Sequence, residues 1–346
     1  MSFPLAATRP AASPALILAP MATLSHAALR TLIEQFGGCD LYFSEMVSAE
    51  AHIGGTPFER YYSETAPAPQ RLVFQLIGRG QDALVEAARR LGDTPCAGID
   101  LNFGCSAPQI RKSGAGIAWT RDHARAAQLA AAVRRAVPSN KSVSVKLRLA
   151  DDGEPQHSLD LARRLTDAGI DFITLHPRRM SDSYSRPARR AVIEQFSRGL
   201  NIPVVASGDV QTQADVAACC RLGAAACMIG RAAAARPWIF AQLQGTAPQR
   251  IDLAQLAAQY YRLLQQWQPK EFLSSRLRRF HHYFLASIPF GRRLAAQVQG
   301  MRDAGAIAAH VADYFERYPH FRFVTPDSGG SDDSQAADRH APLSPA

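Results

Sequence analysis

Lysine is scarce in this chain. Only Lys112, Lys141, Lys146 and Lys270 occur among 346 residues, although Lys and Arg together number 39 against 30 Asp and Glu. The formal charge of +9 is therefore carried by arginine. It favours a polyanionic partner only weakly, because heavy arginine use also follows genome composition. Six cysteines, Cys39, Cys96, Cys105, Cys219, Cys220 and Cys227, form no Cys-x-x-Cys pair, and no histidine stands at ligand spacing from them. No metal site is expected from that pattern, and a reduced, cytoplasmic compartment is the simpler setting. Long hydrophobic runs are missing too. Ala15 to Ala19 is too short to span a bilayer and Pro20 interrupts it, so neither a signal peptide nor a membrane segment is expected. What is present is apolar material, 47% of residues, enough for a sizeable core, and 346 residues make roughly two domains, or one large barrel plus a smaller unit.

Residues 1–14 are rich in Ala, Pro and Ser without a period and read as a disordered tail. A regular beat follows. Leu16 to Leu18 reads as a strand ending at Ala19-Pro20-Met21, and Ser25 can cap a helix whose Leu29, Leu32, Ile33 and Phe36 share one face. Strand-like runs recur at Leu41 to Phe43, Leu72 to Phe74, Ile99 to Leu101, Val143 to Val145, Phe172 to Leu175, Pro203 to Ala206 and Ala226 to Ile229. Helical patterns separate them, one opening at Thr120, one after Ser158, and one at the capping box Thr212/Asp215. Eight such strands alternating with helices is the count of a closed (β/α)8 TIM barrel, an α/β fold. The rival, an open doubly wound sheet, needs a Gly-x-Gly-x-x-Gly turn after its first strand, where this chain has Ala19 to Leu24, APMATL.

The barrel is expected over residues 15–245. From 250 to 324 the period is wholly helical, with stripes such as Leu253, Leu256, Tyr260, Leu263 and Leu264, which predicts a smaller C-terminal all-helical domain. That stretch holds 11 Arg or Lys against 5 Asp or Glu. Residues 325–346, with four Asp and one Arg, read as a second disordered tail.

Chemistry in such barrels sits where the strands end. The ends here are Met21, Glu45, Gln75, Asn102, Lys146, His176, Ser207 to Asp209 and Gly230-Arg231. Singly, each has a commoner structural role: a lone cysteine such as Cys105 is usually a small buried hydrophobe, and a lone lysine a solvated charge. As a set they converge. Glycines after the seventh and eighth strands, with Arg231 beside the second, suit a phosphate. Lys146 and Gln75 suit the head of a flavin, whose reduced ring carries negative charge near N1. A Schiff-base role for Lys146, as in barrel aldolases, stays open at this level, although it leaves Cys105 without a task.

These residues also carry a resemblance. The runs LAPM (Leu18 to Met21), SEMVSA (Ser44 to Ala49), FQLIG (Phe74 to Gly78), GIDLNFGC (Gly98 to Cys105), KLR (Lys146 to Arg148), LHPR (Leu175 to Arg178), SGD (Ser207 to Asp209) and IGRAAAARPWIF (Ile229 to Phe240) resemble the tRNA-dihydrouridine synthases. RRFHHYFLASIP, Arg278 to Pro289, is similar to that family's C-terminal signature. The resemblance implies FMN-dependent reduction of uridine in tRNA, with NADPH as electron source. It implies FMN binding by Ala19, Pro20, Met21, Gln75, Lys146, His176, Ser207, Gly208, Asp209, Gly230 and Arg231, and makes Cys105 the acid. A thiol is mostly protonated at pH 7 and can donate to C5 after hydride reaches C6. Asn102 would orient the base, and a uridine stacked in the tRNA must be taken out to reach it. Lys112 and Arg178 at the mouth, and Arg276, Arg278 and Arg279 in the helical domain, are the expected tRNA contacts. A monomer is expected.

The chain departs from the family pattern at Ser106, where proline is usual, at Ser183, where glycine commonly precedes the tyrosine, and at Ser207, where asparagine is common. Two other readings follow from the same residues: a tRNA-binding protein of this fold with little catalysis, and a dihydroorotate-dehydrogenase-like FMN barrel acting on a free pyrimidine. The basic helical domain argues against the second.

Overall fold

A computed structural model describes residues 14–150, 155–288 and 290–326. Most of both predicted tails, residues 1–13 and 327–346, lies outside the described residues. Eight strands close a parallel barrel in chain order: β1 Ala15–Leu18, β2 Leu41–Ser48, β3 Leu72–Ile77, β4 Gly98–Phe103, β5 Ser142–Leu149, β6 Phe172–Arg179, β7 Val204–Ser207 and β8 Ala226–Ile229. β1 closes the ring against β8, Leu16 opposite Cys227 and Leu18 opposite Ile229. Ring closure leaves no unpaired strand edge, and each strand is buried on both faces, which is why the strand cores read as short continuous apolar runs.

Alternation along each strand divides the two faces. In β4, Ile99, Leu101 and Phe103 take one side while Asp100 and Asn102 take the other; in β5 the same split separates Val143, Val145 and Leu147 from Ser144, Lys146 and Arg148. β2 and β5 run past the predicted three-residue cores because polar residues continue the ladder. β2 carries a register shift between Phe43 and Met46, and Ser44 at that irregularity accepts from the Gln75 amide at 3.0 Å while donating to the Glu45 carbonyl at 2.7 Å.

Three helix starts differ from the sequence expectation. Asp122, not Thr120, caps His123–Ala136 by accepting from Arg125 N, and Ser158 lies inside helix Pro155–Asp167, its hydroxyl accepting from Ala150 N. Ser25 likewise does not cap: it bonds back to Met21, and helix Ala27–Glu34 has His26 at its start. The Thr212/Asp215 capping box forms as expected.

The described residues fall into two compact units, one of residues 14–20 with Asp40–Ile229, the other of Met21–Cys39 with residues 230–326. The second unit is helical: Ala27–Glu34, Leu253–Trp267, Lys270–Phe284, Gly291–Gly300 and Ala304–Arg317 are its main elements. Its core is aromatic and aliphatic, with the Tyr260 and Phe280 rings 3.8 Å apart and Leu277, Val298, Ile307 and Val311 buried around them. A two-stranded antiparallel pair, β9 Ile251–Asp252 and β10 Phe323–Val324, ties the two ends of this helical region together.

Candidate active site

Three neighbouring strands bring polar side chains into the barrel interior near their C-terminal ends. Gln75 of β3 is level with Asp100 of β4, Asp100 with Ser144 of β5, and Asn102 with Lys146. A buried hydrogen-bond chain results. Ser144 Oγ donates to Asp100 Oδ1 at 2.6 Å, Gln75 Nε2 donates to Asp100 Oδ2 at 2.7 Å, and Asn102 Nδ2 donates to Gln75 Oε1 at 2.7 Å. Asn102 Oδ1 then accepts from Gly104 N at 3.1 Å and Cys105 N at 2.8 Å. The loop that follows β4 is thus held from below by a side-chain amide. Behind it, Gly116 has φ +59, and a Cβ there would stand 2.6 Å from the Cys105 carbonyl oxygen, so only glycine fits. Ile117 N donates to that same carbonyl at 3.1 Å.

Cys105 itself is a free, part-exposed thiol. Lys146 is part-buried, and its ammonium makes no hydrogen bond or ion pair within 4 Å among the described residues. Burial, with the Arg148 charge adding to it, lowers the Lys146 ammonium to about 8, against the opposing pull of Asp100 and Cys105. Burial pushes the Asp100 carboxyl up to about 6, opposed by its hydrogen bonds from Ser144 and Gln75 and by Lys146.

Arg148, 6% exposed, donates from Nη1 to Ser106 Oγ at 2.8 Å, and its guanidinium lies 5.3 Å from the Tyr184 ring centre. Tyr184 stacks toward His176, ring centres 6.1 Å apart. Gly208 lies directly against His176: at φ +109, a Cβ on it would meet His176 Cδ2 at 2.9 Å. Ser207 closes β7, and Asp209, at φ +54, uses its carboxylate on Arg178 Nη2 at 2.5 Å and Ala188 N at 2.9 Å.

Two of the arginines expected to contact tRNA are buried instead. Arg178 is 1% exposed, its guanidinium holding Asp209 and the carbonyls of Arg186 and Tyr184, with His176 Nε2 3.1 Å away. It organises the loop after β6 rather than presenting charge to solvent. Arg276 is 2% exposed, because it follows Leu273 by three residues and precedes Phe280 by four, which puts it on the inward stripe of its helix. Arg278 and Arg279 are half-buried, Arg278 donating to the Gln299 carbonyl at 3.3 Å and Arg279 lying 5.2 Å from the Tyr283 ring centre. Lys112 ends the short helix Pro108–Lys112 and is exposed.

Ala19 continues the barrel ladder by donating to the Ile229 carbonyl at 2.9 Å, with Pro20 after it. Met21, Gly230 and Arg231 fall in the second unit; Met21 N donates to Ser25 Oγ at 2.8 Å, and Gly230 precedes the short helix Arg231–Ala235. Asp100, Ser144, Arg148 and Tyr184 escaped the sequence reading. The signal for the first three was the period of two: each sits two residues from Asn102 or Lys146 on the same strand face.

Among the described residues, no helix is long and apolar enough to cross a membrane, and no group of three or more His, Cys, Asp or Glu is placed to hold a metal. A family model described as dihydrouridine synthase matches residues 17–313. A tRNA-dihydrouridine synthase B of Xanthomonas axonopodis pv. citri is 36% identical over 232 residues, covering 67% of this chain and 69% of its own. Another, of Pseudomonas putida, is 29% identical over 312 residues, 87% of this chain and 91% of its own. A probable tRNA-dihydrouridine synthase of Rhizobium leguminosarum bv. phaseoli is 33% identical and covers 72% and 78%. With a barrel of the expected strand count and a match over most of its length, this chain belongs to the dihydrouridine synthase family.

Proposed function

We propose that this protein reduces uridine in tRNA to 5,6-dihydrouridine, with FMN bound in the barrel mouth and NADPH as the reductant. The observation that carries the reading is the donor set at the ends of β3, β4 and β5. The Lys146 ammonium has no hydrogen bond among the described residues, and Gln75 and Asn102 each keep one amide hydrogen beyond those used in the chain. Three donors are thus left over at these strand ends, which fits the acceptor-rich edge of an isoalloxazine and the carbonyls of a uracil.

When bound, FMN supplies a hydride equivalent to C6 of the uracil ring. The rest falls to this chain's own side chains. Gln75 and Lys146 hold the ring edge, and the protonated ammonium stabilises negative charge there. Ala19, Pro20, His176 and the Ser207 to Asp209 turn would bind the remainder of the cofactor; Met21, Gly230 and Arg231 enter this set from the sequence resemblance alone. Asn102 orients the uracil, and Cys105 Sγ gives its proton to C5, discharging the enolate-like charge left after C6 is reduced. Residues 15–245 would form the catalytic domain and 250–324 the tRNA-binding one, where 11 basic residues stand against 5 acidic ones. Of the residues expected to contact tRNA, Lys112, Arg278 and Arg279 have exposed or part-exposed side chains.

The test uses purified protein with an unmodified tRNA transcript and NADPH. Flavin absorption, FMN released on heating and dihydrouridine formed in the transcript are expected; Cys105→Ala should keep the FMN and lose the product. Colourless protein that shifts tRNA in a low-salt gel without modifying it would overturn the reading, as would equal turnover of a free pyrimidine.

A further inference from the structure

Asp100 is the one carboxylate in the hydrogen-bond chain beneath Cys105, and it is fully buried between β3 and β5. An ionised carboxylate can only accept. Gln75 is therefore obliged to turn Nε2 toward Asp100, which leaves Oε1 facing Asn102. Asn102 in turn must offer Nδ2 to Gln75, and its Oδ1 is left to receive the Gly104 and Cys105 amides. Every amide in the series points the same way because its first member cannot donate. Ser144 adds a second donor to Asp100 but does not connect to the loop, so it supports the carboxylate without setting the direction.

We propose that Asp100 is the positioning residue that fixes the polarity of this chain, and through it both the seat of the Cys105 loop and the spare amide hydrogens that Gln75 and Asn102 keep for the bound rings. This deepens the proposed function and rests on it for the roles of Asn102 and Cys105. A neutral group at position 100 would let the Gln75 amide turn over, so that its Nε2 donor faces Asn102 and Asn102 must turn its own oxygen toward Gln75. The Asn102 oxygen would then lose its fixed aim at Cys105 N. A protonated Asp100 has the same freedom, and its carboxyl is held near 6. The groups facing it are Gln75 from β3 and Ser144 and Lys146 from β5, with Lys146 the charge that acts on it.

Asp100→Asn keeps the shape and removes the charge. Hydrogen exchange of the purified full-length protein at pH 8 should show the Gly104 and Cys105 amides losing protection at least tenfold in this variant, while amides in the helices of the barrel keep theirs. Dihydrouridine formation at saturating tRNA should fall at least tenfold in kcat with KM little changed. In the unsubstituted protein the rate should decline as pH drops through about 6, and Asp100→Asn should lack that limb. Ser142→Ala removes a hydrogen bond from another buried hydroxyl of β5, Oγ to the Ala97 carbonyl at 3.3 Å and outside the chain, and is expected to leave amide protection and rate near normal at pH 8. Intact protection in Asp100→Asn, or equal losses in Ser142→Ala, would overturn the proposal in favour of a general core role. The exchange measurement stands whether or not the protein modifies tRNA, so a failure of the proposed function reads separately.

Discussion

Arg148 and Ser106 are joined across the mouth of the barrel by a 2.8 Å hydrogen bond from Nη1 to Oγ. Ser106 directly follows Cys105, so a buried guanidinium on β5 fixes the residue next to the free thiol. Among the described residues Arg148 Nη2 has no hydrogen-bond partner, which makes the Ser106 hydrogen bond a large share of what satisfies this buried cation there. Where proline is usual in the family, this chain has a hydroxyl that can accept.

Ser106→Ala should therefore cost stability and rate together. A hydrogen bond to a charged group contributes about 1.5–3 kcal/mol, and its removal here leaves a second buried nitrogen unsatisfied. Urea unfolding should show a loss in that range, and the rate of dihydrouridine formation should fall about tenfold. An unchanged midpoint and rate would show that this bond does not hold the loop.

Lys146→Met should separate stability from activity. Folded Lys146 loses its proton near pH 8, against 10.5 when unfolded, so unfolding takes up a proton between those values and stability rises with pH there. Below pH 8 the full penalty of the buried charge remains, roughly 3 kcal/mol at most. The methionine variant should be more stable than the parent below pH 8, with the gap closing toward 10.5, while its FMN affinity and turnover collapse. Parallel stability curves for the two proteins would refute the depressed lysine.

Gly208→Ala places a methyl 2.9 Å from His176 Cδ2 at a backbone φ of +109. Strain of that kind costs about 1–3 kcal/mol. The variant should unfold at lower urea and bind FMN at least tenfold more weakly, measured by fluorescence titration of released and rebound flavin. Normal FMN affinity would remove His176 and the Ser207 to Asp209 turn from the cofactor site.

Lys112→Ala and Arg276→Ala should fail in different ways. Exposed Lys112 should affect tRNA affinity through the slope of log K against log salt, whose magnitude should fall by about 0.7–0.9, the share of a single neutralised phosphate. Buried Arg276 should chiefly lower stability, with the salt slope unchanged. A changed slope in Arg276→Ala, or none in Lys112→Ala, would reverse these assignments.

Local order was readable because it is written in nearest neighbours. Eight apolar runs of strand length, the capping box at Thr212 and Asp215, and the polar residues closing each run need only the identities of residues a few positions apart. The sequence by itself therefore determined the barrel, its strand order and the set of strand ends that meet at one mouth, since a closed parallel ring brings all C-terminal ends to the same side. It did not determine which polar groups touch. Arg178 and Arg276 look like surface cations in the string and are buried, one against Asp209 and the other on an inward helical stripe. Asp100 looks like an interruption of a strand and proves to anchor Gln75, 25 residues away, and through it the loop of Cys105. Those pairings depend on register between strands, a property set by how the whole ring closes, and only the tertiary structure decided them.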